Sequence, residues 1–256
     1  MPRVDYDQHG QTYARHRRPD PRIAARILAA LGDARTVLNV GAGAGSYEPE
    51  DRWVLAVEPS LTMRAQRPAG AAPVIDARAE QLPLDDDSVD AALACVTIHH
   101  WDPPESGLAE LARVARRRVV VLTFDLEHLP AWQLEYLGEG LTIEGPRFPE
   151  LGTIADALGG DVRVESIPTP ADCQDGFFEA YWNRPEALLD PSVRASQSMW
   201  ALLGAEVQER IVTRLRDALA SGQWDAQHGH LRDRDSFAGA LRLVIAEFGP
   251  SVGRPG

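Results

Sequence analysis

The stretch that most constrains this chain is Val37-Leu38-Asn39-Val40-Gly41-Ala42-Gly43-Ala44-Gly45-Ser46, answered by Val54-Leu55-Ala56-Val57-Glu58. An apolar run of strand length empties into three glycines, and a second apolar run ends in a carboxylate 17 positions after the first glycine. Glycine lets the backbone turn sharply and approach a ligand closely, because no Cβ intervenes. A carboxylate at the tip of the next strand is placed to accept the hydroxyls of a ribose. The pair reads as a nucleoside cradle in an α/β fold.

The glycine spacing narrows the ligand. A dinucleotide site wants G-x-G-x-x-G, with a helix N-terminus facing the pyrophosphate. Here the third glycine comes one residue early, and Ser46 stands where the last glycine is needed. Only Ser46 to Arg52, with Pro49 among them, separate Gly45 from the next strand, so the helix is missing or stunted. A nicotinamide-dependent reductase therefore fits poorly. A nucleoside without phosphates fits, and S-adenosylmethionine is one.

Strand and helix patterns alternate around this motif. Asp20 and Pro21 open a helix that Gly32 stops. After the Glu58 strand come a helix through Met63, short strands at 73–76 and 90–95, a helix at 108–114, and a strand at 118–124. Helices at 132–137 and 151–158 precede an alternating strand at 162–167. This rhythm predicts a Rossmann-like, seven-stranded, mostly parallel sheet with helices on both faces. Residues 171–236 break the rhythm with Phe177, Phe178, Tyr181, Trp182, Trp200 and Trp224. Their helix over 205–219 repeats Leu203, Val207, Ile211, Leu215 and Leu219 every four residues. Leu241 to Ala246 is the closing strand. The organisation expected is an N-terminal lid (1–20), a cofactor-binding core (21–170), a helical substrate cap (171–236) inserted before the last strand, and that strand (237–249).

A net charge of −12 argues against nucleic acid, whose affinity rests on neutralising phosphates. Two cysteines, Cys95 and Cys173, make neither a disulfide framework nor a metal spacing. His228 and His230 lack partners, so no metal is expected. The N-terminus has no signal-peptide core and no apolar run reaches membrane-span length. A cytoplasmic protein is expected, with no membrane association; its oligomeric state stays open.

The chain resembles the class I S-adenosylmethionine-dependent methyltransferases, within the type 11 group related to ubiquinone/menaquinone C-methyltransferases. The resemblance rests on Val37–Gly45, on Val57-Glu58-Pro59-Ser60 with Met63, on Ala79-Glu80-Gln81-Leu82-Pro83-Leu84 with Asp90, and on Thr97-Ile98-His99-His100-Trp101. It implies an antiparallel last strand pair and S-adenosylmethionine held by Asn39, Gly41, Ala42, Gly43, Glu58, Pro59 and Met63. Ala79, Glu80 and Cys95 complete that contact set, with Tyr13 and Arg18 as a lid. Three departures stand out. Asn39 replaces the family's usual acidic residue, Arg78 replaces the adenine-amine acceptor (with Glu80 or Asp76 available instead), and the helix after Gly45 is short.

The expected activity is methyl transfer to an O, N or activated C atom of a small-molecule metabolite, such as one of secondary metabolism. The alternative is a non-methylating isomerase or cyclase that binds the same cofactor. His99 and His100, on the rim where open α/β sheets bind ligands, are the candidate bases. Asp125 and His128 lie on the same rim. Trp101, Tyr181 and Trp182 are the candidate walls of the acceptor pocket.

Overall fold

The computed structural model describes residues 16–249. Asp20 caps α1 (Pro21–Leu31) by accepting the Arg22 N–H at 2.9 Å, and Ile23, Ile27, Ala30 and Leu31 bury one face. β1 (Thr36–Val40) pairs in parallel with β2 (Trp53–Val57), Val40 opposite Val57. Ser60 caps the short α2 (Leu61–Ala65), and β3 (Val74–Ile75) adds beside β2. β4 (Val89–Cys95), α3 (Pro104–Val114) and β5 (Ala115–Phe124) continue the parallel sheet. α4 (Ala131–Glu144) and α5 (Leu151–Leu158) lead to β6 (Asp161–Ser166).

α4 runs a full two turns beyond the expected 132–137. Gly140 lets Met199 approach it, since a Cβ there would lie 2.6 Å from the Met199 sulfur. α3 likewise starts earlier than expected, at a proline suited to a helix start.

β7 (Thr169–Pro170) and β8 (Ser236–Phe237) form a small antiparallel pair that brackets the insertion. Between them lie α6 (Pro191–Arg194), α7 (Ser198–Ala201), α8 (Ala205–Ala220) and α9 (Gln223–His228). The buried stripe of α8 is Ile211, Val212, Leu215 and Ala218, while Val207 and Leu219 are only partly covered. A four-residue repeat drifts around a helix of 3.6 residues per turn, so neighbouring positions take over.

β9 (Leu241–Glu247) pairs antiparallel with both β5 and β6, giving the order β3-β2-β1-β4-β5-β9-β6. The last strand thus slots between its predecessors instead of extending the edge. Its apolar run requires cover on both faces, and β6, with Val164 exposed, is the edge strand. Successive strand residues serve opposite faces. Val37, Leu93, Val120 and Ile245 join one core cluster with α1, α4 and the insertion; Leu38, Ala94, Val121 and Val244 join the other with α3 and α5. The carboxyl ends of β1, β2 and β4 converge on one rim, which carries the site.

Candidate active site

The turn after β1 is set by its glycines. Gly41, Gly43 and Gly45 have φ of 69°, 53° and 96°. At Gly41 a Cβ would stand 2.1 Å from Thr97 Oγ1, so the loop packs directly on the segment after β4. The Gly41 and Ala42 N–H groups both donate to the Val57 carbonyl, at 2.9 and 3.0 Å. The Gly43 N–H donates to Glu58 Oε2 at 2.8 Å, and the Ser60 N–H to Oε1 at 2.8 Å. Glu58 is 7% exposed. Burial pushes its carboxyl up, against the pull of those two N–H groups.

No helix follows the loop, as the spacing predicts; residues 46–52 run through a turn, an irregular stretch and bends. Tyr47 does the anchoring instead. Its hydroxyl donates to Asp175 Oδ2 at 2.9 Å, and Arg17 Nε donates to Asp175 Oδ1 at 2.6 Å. Arg17 and Asp175 also form a backbone β-bridge, so the chain before α1, the glycine loop and the insertion meet at one carboxylate.

These elements line a cleft. Of the sequence-predicted residues, Asn39, Gly41, Ala42, Gly43, Glu58, Pro59 and Met63 line it. So do Ala79, Glu80, Cys95, His100 and Trp101. Burial, then the Asp175 and Glu48 charges, push the Cys95 thiol up, which suits a wall residue better than a nucleophile. Trp101 sits on Gly107, where a Cβ would lie 2.3 Å from its ring. Of the two candidates beside Arg78, Glu80 faces the cleft and accepts the Asp102 N–H, while Asp76 pairs with Arg64 outside it.

Other expectations need correcting. Arg18 is exposed, and its neighbour Arg17 lines the cleft instead. Tyr13 lies outside the described residues. Among the described residues, Tyr181 and Trp182 line neither the cleft nor the aromatic cavity beside it. Trp182 is fully buried, stacks on Phe237 and donates Nε1–H to the Thr169 carbonyl, so its polar tip is satisfied inside the insertion's own core. Tyr181 lies under the Arg184 guanidinium in the same cluster. His128 pairs with Asp125, whose other partner is Arg242, and His228 pairs with Glu135. Among the described residues no cluster could hold a metal ion.

A second cavity adjoins the cleft. Phe124, Phe148, Phe177 and Phe178 give it aromatic walls; Glu144 and Ser198 give it a polar spot. Arg17, Val96 and His100 line both cavities. Val96 has φ of 52°, rare for a β-branched residue, at the junction between them. The Ser198 hydroxyl donates to Glu144 Oε1 in a short hydrogen bond, and burial raises the Glu144 pKa. His99 lines this second cavity but not the cleft, and stacks on Phe148 at 4.2 Å. The Arg147 guanidinium approaches His100 Nδ1 at 3.3 Å. A guanidinium only donates, so Nδ1 accepts and the neutral ring carries its proton on Nε2. Burial, followed by the Arg147 and Arg17 charges, lowers the His100 pKa to about 3.

Fold and site define an α/β protein with a glycine-lined cleft joined to an aromatic pocket. Residues 38–123 match the family of methyltransferase domains. An uncharacterized methyltransferase of Mycobacterium tuberculosis is 31% identical over 199 residues, covering 73% of this chain and 74% of that protein. Among solved structures, a protein of Anabaena variabilis provisionally named a methyltransferase from an antibiotic biosynthesis pathway superposes with a TM-score of 0.82 at 29% identity. The match covers 92% of this chain and 99% of that one. A S-adenosylmethionine-dependent methyltransferase of Thermotoga maritima shares the fold, with a TM-score of 0.56 at 19% identity over 94% and 97% of the two chains. The chain belongs to the class I S-adenosylmethionine-dependent methyltransferases.

Proposed function

We propose that the cleft binds S-adenosylmethionine and that the methyl group passes to a small, largely apolar acceptor in the second cavity. The observation that carries this reading is the junction: two cavities of different chemistry share Arg17, Val96 and His100. Glu58 is fixed by two backbone N–H groups in position to accept the ribose hydroxyls. Met63, Ala79 and Glu80 suit the adenine, and Asn39 with the glycine loop suits the amino-acid end. When bound, the cofactor supplies a methyl group already activated on a sulfonium.

The protein's part is then alignment, which can supply much of the barrier reduction. Phe124, Phe148, Phe177 and Phe178 hold a planar acceptor and exclude water. His100, neutral and protonated on Nε2, positions the acceptor as a hydrogen-bond donor rather than taking its proton. Glu144, whose burial raises its affinity for a proton, is the base of this reading if the acceptor atom carries one. Residues 171–236 act as the substrate cap, contributing Phe177, Phe178 and Ser198. The Anabaena relative's antibiotic pathway supports an acceptor from secondary metabolism. Two free cysteines accord with a cytoplasmic location, and among the described residues no helix is long and apolar enough to cross a membrane.

The test is a screen of small aromatic phenols and amines with S-adenosylmethionine, reading S-adenosylhomocysteine and methylated product by mass spectrometry. The reading expects acceptor-dependent formation of both, lost in Phe178→Asp while cofactor affinity holds. Acceptor conversion without S-adenosylhomocysteine would replace methyl transfer with the isomerase or cyclase alternative.

A further inference from the structure

Asn39 is 1% exposed and lines the cleft at the end of β1. Its side chain is held in one orientation. Nδ2 donates to Glu48 Oε1 at 3.1 Å, while Oδ1 is buried with no hydrogen-bond partner. Turning the amide over would set Oδ1 against the Glu48 carboxylate, oxygen against oxygen, and lose that bond. Glu48 is itself fixed. Arg67 Nη2 donates to its two carboxylate oxygens at 2.9 and 2.8 Å and to the Ala72 carbonyl at 3.0 Å. The Glu48 and Arg67 side chains are 10% and 4% exposed, packed under Gly45, where a Cβ would come within 3.4 Å of Arg67 Nη1 and 3.5 Å of Glu48.

We propose that Glu48, clamped by Arg67, is a positioning residue that keeps Asn39 Oδ1 turned toward the cleft as the acceptor for the cofactor's ammonium group. A buried carbonyl oxygen without a partner is costly; an ammonium donor from the ligand satisfies it. The usual acidic residue of β1 is thereby replaced by a neutral oxygen whose direction is set from the loop. The proposal rests on the reading of the cleft as a S-adenosylmethionine site.

The test compares two ligands by calorimetry. S-adenosylhomocysteine carries the ammonium; 5′-methylthioadenosine has the same adenosine and thioether but no amino-acid end. In Asn39→Leu and in Glu48→Met, S-adenosylhomocysteine should bind about tenfold more weakly or worse. The affinity for 5′-methylthioadenosine should stay within about threefold of wild type. Equal losses for both ligands, or no loss for either, would overturn the proposal by reducing the pair to loop support or to nothing. Glu48→Met leaves Arg67 unpaired; if that variant does not fold, Asn39→Leu, which keeps the pair, decides alone. A wild-type protein that binds neither ligand removes the cofactor reading, and the proposal with it.

Discussion

The Gly43 N–H and Glu58 Oε2 lie 2.8 Å apart, and this bond joins the Gly41 and Ala42 bonds to the Val57 carbonyl in tying the tip of β2 to the loop after β1. Each end would be costly alone. A buried carboxylate needs donors, and a loop turning through positive φ needs a fixed point. Together they present a carboxylate whose remaining lone pairs face the cleft.

Replacing Glu58 by Ala should therefore weaken binding of S-adenosylhomocysteine by about 1.5–3 kcal/mol, the worth of hydrogen bonds to a charged group. Calorimetry on the variant checks it. Unchanged affinity would put the ribose elsewhere.

Asp175 should be the most sensitive polar position outside the cleft. It is 1% exposed and is shared by Arg17 and Tyr47. Asp175→Ala removes the carboxylate from this buried ion pair, which typically costs about 3–5 kcal/mol. Denaturant unfolding measures the loss; one below about 1 kcal/mol would mean that the junction is wet and weak.

His100 should not titrate in the physiological range. With its pKa lowered to about 3, first by burial, the folded state favours the neutral ring. Its contribution to stability is therefore present above the unfolded value and lost as pH falls through it. Imidazole resonances that disappear in His100→Gln should be flat between about pH 5 and 8. A midpoint near 6.5 would contradict the half-buried, Arg147-bonded ring.

Glu179 gives the opposite sign. Burial raises its pKa from 4.5 to about 7, although Thr169 donates to Oε1 and the Ala240 N–H to Oε2. Between those values the folded state keeps a proton that the unfolded chain releases. Stability should thus fall as pH rises through this window, with a slope approaching ~1.4 kcal/mol per unit. Unfolding curves for wild type and Glu179→Gln, taken at several pH values, isolate the effect; parallel trends would refute it.

The strands and the cradle were legible because local chemistry specifies them. Apolar runs, positive-φ glycines and a carboxylate 17 positions on need no distant partner to be recognised. The rest depends on pairings across the chain. Nothing local distinguishes Arg17 from Arg18, and the choice is made by Asp175, 158 residues away. The aromatic pocket draws Phe124, Phe148, Phe177 and Phe178 from three separate stretches of chain. Trp182 misleads from sequence because an insertion needs its own core, and this ring is spent there with those of Trp200 and Trp224.

The central claim is that this cleft is built for S-adenosylmethionine. Calorimetric titration of S-adenosylmethionine and, separately, NADH into the wild-type protein tests it most directly. The account predicts saturable binding of the first with one site per chain and no heat from the second. Binding of NADH, or no binding of S-adenosylmethionine, would contradict it.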